Sequence, residues 1–406
     1  MNNQKLEQFL IVNSLPKFRL GQIQKAIFQD GAVSFGDITT LSKDLREKLE
    51  QEMRILSFEV EKVLVAGPAR NATRNVANGF ANNNISLSQQ SEDNNEHSVA
   101  GGDGQSIKAL LKLVDGNLIE TVLISPKPGT WSACISCQVG CAMGCRFCAT
   151  GKMGFKRNLT AEEITDQILF WKQYLTRNYK LQITNSKSSG FENNQKDNSE
   201  PFGICNLEFG NYNIVNNIVY MGMGEPFNNW ENVSQSIKDL TDEKLFGFGS
   251  RSLSVSTSGI VSGIEKMANQ FPQVNLAISL HFASDEKRDR YMPVNKVDNL
   301  ESLKKALQKY FQVTKRKVFL EYIMLDGVND AALDAKMLAQ YLHSVGNAHL
   351  LHVNLIRYNA TSADLKPSSK TRTQLFKKEL AKYFINATIR KSLGEEIKGA
   401  CGQLAS

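Results

Sequence analysis

The sequence predicts an α/β fold: an incomplete parallel barrel of about six βα units, with a small helical unit and a β-hairpin extension ahead of it. Three observations predict it. From residue 217 onward, short runs of strand composition alternate with longer stretches at helical spacing. Polar residues collect where those strands end, at Gly224-Glu225, Ser256-Thr257-Ser258, His281 and Asn359, the end of a barrel that houses chemistry. Upstream, a cysteine loop running from Cys141 through Cys145 to Cys148 follows a short strand-like run.

Residues 1–66 read as the helical unit. Leu6, Phe9 and Leu10 begin an amphipathic pattern that Phe18, Leu20, Ile23, Ala26 and Ile27 continue. A further helix covers 43–56, with Ser42 as its N-cap and Leu45, Leu49 and Met53 on one face. Residues 67–106 are rich in Asn, Ser, Gln and Gly and read as a flexible linker, loosest over 82–105. Runs at 108–114 and 118–124, joined by Asp115-Gly116, read as a hairpin. A third strand at 131–136 leads into the cysteine loop.

Thr160-Ala161-Glu162-Glu163 is a capping box opening a helix whose buried stripe is Ile164, Ile168, Trp171 and Leu175. Residues 181–213 are rich in Asn, Ser and Lys and read as a surface insertion, with Cys205 in it incidental. Strands follow at 218–221, 253–256, 276–279, 318–324 and 352–356, and helices near 231–241, 260–270, 299–311 and 330–344. On this reading 107–406 is one catalytic domain.

A chain of 406 residues buries a sizeable core and holds two domains or a little more. Its net charge of +7 is compatible with a nucleic-acid partner without requiring one. No secretory signal and no membrane-spanning run are apparent. Five of seven cysteines fall between Cys134 and Cys148, which suits a metal site in a reducing cytoplasm better than a disulfide framework.

The cysteine spacing C-x₃-C-x₂-C carries the chemistry. Three thiolates can hold three irons of a [4Fe–4S] cluster and leave the fourth open to a small molecule. Gly140 and Gly144 let the loop bend. A zinc site is the competing reading, but it would draw four ligands onto one ion, usually from paired C-x₂-C hooks. In the turn Gly222-Met223-Gly224-Glu225-Pro226, the glycines allow close approach to a ligand and Glu225 could accept from an ammonium. Ser279-Leu280-His281 ends another strand. Cys401 sits between Gly399 and Gly402 in a segment free to approach a ligand, and Cys134 and Cys137 are further candidate thiols.

Seven motifs in order, C-I-S-C-Q-V-G-C-A-M-G-C-R-F-C-A-T-G, M-G-M-G-E-P, S-T-S-G-I-V, A-I-S-L-H, E-Y-I-M-L-D-G-V-N-D, H-V-N-L-I-R-Y-N and A-C-G-Q-L-A, resemble the radical S-adenosylmethionine RNA adenine methyltransferases. That family has a carbon-2 branch (RlmN) and a carbon-8 branch (Cfr). The resemblance covers nearly all of 14–404 apart from the two polar stretches. It implies a partial radical-enzyme barrel and two cofactors, a [4Fe–4S] cluster on Cys141, Cys145 and Cys148 and S-adenosylmethionine. Gly224, Glu225, Ser256, Ser279, Leu280, His281 and Asn359 match the S-adenosylmethionine contacts.

By the same resemblance, Cys401 becomes S-methylated and bonds to RNA. Cys134 resolves that adduct as a disulfide, and Glu120 accepts the proton. The helical unit resembles the family's RNA-binding accessory domain, with Lys17, Arg19 and Lys25 as candidate phosphate contacts. The implied partners are 23S rRNA, tRNA and a reductant such as flavodoxin or ferredoxin; no membrane is involved and the chain is expected to act as a monomer.

Pro226 and Ser258 resemble the carbon-2 branch. Segments 156–160 and 355–359 resemble the carbon-8 branch. From another class, a non-catalytic zinc-binding RNA module remains the alternative, although a passive module needs no set of polar strand ends.

Overall fold

The computed structural model describes residues 1–66, 104–127, 129–188 and 215–405. Helices α1 (Asn3–Val12), α2 (Phe18–Gln24) and α3 (Lys43–Glu52) form the helical unit, α2 running on into a π-helical turn at Lys25–Gln29. Leu6, Phe9, Leu10, Ile23, Ile27, Leu45 and Leu49 are buried as their spacing requires. Phe18 is not: it opens α2 with its ring 64% exposed. Ser42 stands at the N-cap of α3 without a side-chain capping bond.

The helical stretch ends earlier than expected. Residues 58–66 form strand β1 (Phe58–Ala66), whose β-branched Val60, Val63 and Val65 suit a pleated surface. It lies antiparallel on β2 (Gln105–Leu113), which pairs with β3 (Leu118–Lys127) through the foreseen Asp115-Gly116 turn. Gly116 takes φ +80° there and donates to the Leu113 carbonyl at 2.9 Å. Strand β2 already begins at Gln105, inside the expected linker; residues 67–103 lie outside the described residues.

Strand β4 (Thr130–Cys134) joins two parts of the sheet, antiparallel to β3 on one side and parallel to the barrel on the other. Strands β5 (Gln138–Gly140) and β6 (Phe155–Asn158), with the short α4 (Ala149–Lys152) between them, make a clasp around the cysteine loop. Next comes α5 (Ala161–Ser188), capped as expected: the Glu163 N–H donates to Thr160 Oγ1 at 3.2 Å and the Thr160 N–H to Glu163 Oε2 at 3.0 Å. It extends through 181–188, read from sequence as loop; the rest of that stretch, with Cys205, lies outside the described residues.

The barrel continues as β7 (Val215–Tyr220), α6 (Trp230–Thr241), β8 (Leu253–Thr257), α7 (Val261–Gln270), β9 (Asn275–Ser279), α8 (Asp285–Tyr291), α9 (Leu300–Val313), β10 (Val318–Met324), α10 (Ala332–Val345), β11 (Leu351–Arg357), α11 (Lys370–Lys382) and β12 (Ala387–Ile389). The sheet order is β1-β2-β3-β4-β7-β8-β9-β10-β11-β12, parallel from β4 onward. The six expected barrel strands are β4 and β7 to β11. The short β12 adds a seventh, and its far edge pairs with no strand among the described residues, so the barrel is open.

Alternation sets the two faces of this parallel sheet. Ile218, Val255, Leu276, Ile278, Leu320, Tyr322, Val353 and Leu355 are buried against the helices, Tyr322 packing on Phe376 of α11 at 5.2 Å between ring centroids. The inner face sets polar residues among apolar ones. Cys134 lies opposite Val219, Ser279 opposite Glu321, Glu321 opposite Asn354 and Asn354 opposite Thr388. One apolar cluster runs through both the helical unit and the barrel, joined where Phe28 meets Phe246 at 4.9 Å and Phe58 meets Phe170 at 6.5 Å.

Candidate active site

The site forms at the carboxyl ends of the parallel strands. Cys141 and Cys145 are buried and Cys148 half-buried on the loop after β5. Backbone bonds fix the loop: the Cys141 N–H donates to Gly154 O at 2.9 Å, Arg146 N–H to Tyr291 O at 3.0 Å and Cys148 N–H to Cys145 O at 3.1 Å. Phe147 sets its ring edge-on to His281 at 4.8 Å.

Gly140 and Gly144 take φ +74° and +61°, as a bent loop requires, and the glycines here also allow close packing. A Cβ on Gly140 would stand 1.8 Å from the Gly154 carbonyl, and one on Gly222 would stand 2.6 Å from the Ile135 carbonyl. Gly224, at φ +108°, would press on Gln138 at 2.6 Å. These glycines let neighbouring backbone close up: Gly140 on the Gly154 turn, and Gly222 and Gly224 on the 135–138 stretch that leads into the cysteine loop.

Burial pushes the Cys141 thiol up to about 12, and Glu225 and Cys148 add to it. Cys145 is raised by burial and then by Cys148 and Cys141. The three thiols thus lie in one another's fields. Among the described residues, no three Cys, His, Asp or Glu side chains close on a single metal position. A four-iron cluster takes each thiolate on a different iron, so its ligands need not converge. The residues present therefore fit such a cluster.

Glu225 is buried; its Oε1 accepts from the Phe227 N–H at 3.1 Å and its Oε2 from the Ser258 N–H at 2.7 Å. Its own N–H donates to Gln138 Oε1 at 2.8 Å. Burial raises its pKa against those bonds, so a cation arriving beside it relieves a desolvated carboxylate.

His281 is buried with φ +56°. Its Nδ1 accepts from the Ile323 N–H at 3.1 Å, which leaves Nε2 as the donor. Burial, with Arg288 second, lowers its pKa to about 3, so the ring is neutral. Arg288 is itself fully buried and bonds the carbonyls of Leu280 at 2.5 Å and Ser258 at 3.0 Å, fixing two strand ends. Leu280 is buried; Ser256 and Ser279 are half-buried at the top of β8 and β9.

The segment 399–405 is strapped across this opening rather than loose. Asn359 Nδ2 donates to the Cys401 carbonyl at 3.1 Å, Ala149 N–H to Gly402 O at 2.8 Å and Thr150 Oγ1 to Leu404 O at 2.6 Å. The Ala405 N–H donates to Glu120 Oε2 at 2.9 Å, while Glu120 Oε1 pairs with Lys108 Nζ at 2.8 Å.

Cys401 is open to solvent, yet protein crowds it on the other sides. Desolvation pushes its thiol up to about 11; Glu321 and Cys148 add to this and Arg390 opposes it. Buried Cys134 is pushed up to about 12 by burial and then by Cys401, again with Arg390 opposing. Cys137 is raised by burial, Glu225 and Cys141. Cys134, Cys148, Glu321 and Arg390 therefore lie within electrostatic reach of Cys401, whereas Cys137 is held by backbone bonds to Met223 and Leu159 and lies in the field of Glu225 and Cys141.

Sequence reasoning assigned no role to Arg288, Gln138, Arg390 or Glu321. Glu321 had a signal: it is the one acid of β10 and shares the inner face with Phe319 and Ile323. Asn354 Nδ2 donates to its Oε1 at 2.8 Å, and its buried Oε2 has no hydrogen-bond partner.

Residues 1–55 match the family model described as the ribosomal RNA large subunit methyltransferase N-terminal domain. The ribosomal RNA large subunit methyltransferase Cfr of Clostridium botulinum (strain Okra) is 37% identical over 98% of this chain and 96% of that protein. The chain belongs to the RlmN/Cfr family of radical SAM ribosomal RNA methyltransferases. Another relative within the family, ribosomal RNA large subunit methyltransferase N of Nitrosopumilus maritimus, is 38% identical over 76% of this chain and 79% of that protein. The fold is similar to that of a radical SAM methyltransferase from Sphaerobacter thermophilus, with a TM-score of 0.76 and 32% identity over 100% of this chain and 97% of that one.

Proposed function

We propose that this chain adds a methyl group to carbon 2 of an adenosine in 23S rRNA in the cytoplasm, and to the adenosine beside some tRNA anticodons. The observation that supports it most is that Cys401, strapped across the barrel opening by Asn359, lies within electrostatic reach of Cys134 and of Cys148 of the three-cysteine loop. Bound on Cys141, Cys145 and Cys148, the cluster with S-adenosylmethionine would supply the radical chemistry that an electron-poor ring carbon demands. Glu225 and the neutral His281 would orient the cofactor, with Gly224, Ser256, Ser279, Leu280 and Asn359 around it. Cys401 would carry the methyl group and bond to the base. Cys134, giving up its thiol proton, would then attack the Cys401 sulfur, forming S–S as the S–CH₂ bond breaks; that bond's electron pair stays with the carbon, which takes up a proton to become the product methyl. Glu120 would take the ring proton, for which it must first release Lys108 or the Ala405 N–H. A flavodoxin- or ferredoxin-like reductant would supply electrons to a monomeric enzyme.

Carbon 8 is a second reading. It is favoured by the Cfr relatives that span almost the whole chain and by segments 156–160 and 355–359; Pro226 and Ser258 favour carbon 2. Digesting rRNA and tRNA from cells with and without the protein to nucleosides, then separating 2- and 8-methyladenosine by retention and mass, decides between them. 8-Methyladenosine alone would overturn the carbon-2 reading, and neither product would overturn both. Anaerobically purified protein is expected to be brown, with about four irons and four sulfides per chain; colourless protein holding only zinc would sink the enzyme reading.

A further inference from the structure

The chain's positive charge is concentrated in one place. Between residues 366 and 391 stand eight Lys and Arg against the single acid Glu379, a net +7. The whole chain also carries +7, so the remainder sums to zero. The fold spends this stretch on α11 and β12, the flank of the barrel's open edge.

Helix α11 buries Thr373, Phe376 and Leu380. That turns Lys370, Lys377, Lys378 and Lys382 outward, and all four are exposed. Lys382 bonds Glu379 at 2.6 Å, whereas Lys370, Lys377, Lys378 and Lys391 form no ion pair among the described residues. Thirteen residues of helix span about 20 Å, a track rather than a point. Phe384, 91% exposed, stands at the end of α11.

The strip leads to the reaction centre. Beyond β12, Arg390 approaches Glu321 at 3.8 Å and acts on both Cys134 and Cys401. At the other end of the barrel, Lys377 joins Lys317 beside His352, extending the strip to the basic turn Lys315-Arg316-Lys317.

We propose that the α11–β12 flank is an RNA-phosphate docking surface that carries the strand along the open edge of the barrel to Cys401. It rests on the RNA-methyltransferase reading and adds a contact surface on the barrel, apart from the helical unit. A polyanion binds such a surface by releasing its counterions, so the contacts are countable in salt dependence. Exposed lysines on a helix also change without disturbing the core.

The test uses the full chain with Lys370→Gln, Lys377→Gln and Lys378→Gln combined, and in vitro transcribed 23S rRNA as the probe, with binding followed by fluorescence anisotropy across a salt series. Each lost phosphate contact lowers the slope of log K against log salt by about 0.7–0.9, so the slope is expected to fall by about 2. Affinity should fall to a similar extent for an unrelated RNA of equal length. Three Lys→Arg changes instead should retain the wild-type slope. Iron content and alkylation of the Cys401 peptide should match wild type throughout.

An unchanged slope and affinity overturns the surface. So does an unchanged slope with naked RNA alongside weaker binding to ribosomal protein, which marks a protein partner. Wild-type protein that binds RNA through this flank but yields no methyladenosine leaves the surface standing and overturns the reaction. Wild-type protein that binds no RNA overturns both.

Discussion

Cys134 and Cys137 lie three residues apart in one short stretch and meet different surroundings. Cys134 closes β4 and lies in the field of Cys401, while Cys137 lies in the fields of Glu225 and Cys141. Cys134→Ala is therefore expected to stall after bond formation and to co-purify with RNA on the Cys401 peptide, found by nuclease digestion and peptide mass. Trapping by Cys137→Ala instead would move the resolving role three residues along. His281 gives a pH signature. Its folded pKa of about 3 lies below its ordinary 6.5, so between those values the unfolded chain binds a proton that the folded chain refuses. Stability should fall as pH drops from about 6.5 toward 3. His281→Asn, which tolerates the left-handed backbone, should flatten that part of the melting profile; an equal slope in both proteins would refute the buried neutral ring. The candidate thiols stood out in the sequence by spacing and motif order. Glu321 and Arg288 were not, because a lone charge in a strand or helix shows nothing of what surrounds it until the neighbouring strands are in register.

At the scale of elements, two predictions follow from how the opening is held. Lys108 and Glu120 pair across β2 and β3 with side chains 9% and 6% exposed. Glu120→Gln keeps an acceptor for the Ala405 N–H and strands a buried ammonium, at a cost of about 3–5 kcal/mol, read as a lowered denaturant midpoint; an unshifted midpoint would mean that Lys108 finds water. Gly222→Ala forces backbone apart where Ile135 O stands 2.6 Å from the new Cβ. It should cost about 1–3 kcal/mol and reduce bound iron. Gly21→Ala, in α2 with nothing within 4 Å, should be neutral or stabilising. Strands with a clear apolar face and helices with a stripe were legible from sequence. Charged α8 has no stripe, and three-residue β12 is too short for a period. Strand β1 looked like the tail of a helical unit because its partner β2 lies some forty residues on.

The helical unit and the barrel share one apolar cluster, and a second lies beneath the cysteine loop around Phe147, Phe282 and Tyr358. Lys172 of α5 donates to Phe28 O at 2.5 Å and Gln173 to Ala32 O at 2.8 Å, tying the helical unit to the barrel beside the Phe28–Phe246 contact. Removing residues 1–55 is thus expected to lower solubility and melting temperature and to raise dye binding at the bared apolar face; a truncated chain as stable as the full one would show a self-sufficient barrel. Among the described residues no helix is long and apolar enough to cross a membrane. The clustering of charge could be counted in the sequence, but only the fold sets it beside the gap in the barrel. That gap also governs how the protein keeps in a tube. The outer edge of β12 pairs with no strand among the described residues; an open edge invites another copy to add a strand, and the lysines around it hold copies apart by repulsion. Salt shortens the reach of that repulsion. Concentrated stocks should therefore stay clear in dilute buffer and grow turbid as salt is raised, the reverse of ordinary salting-in.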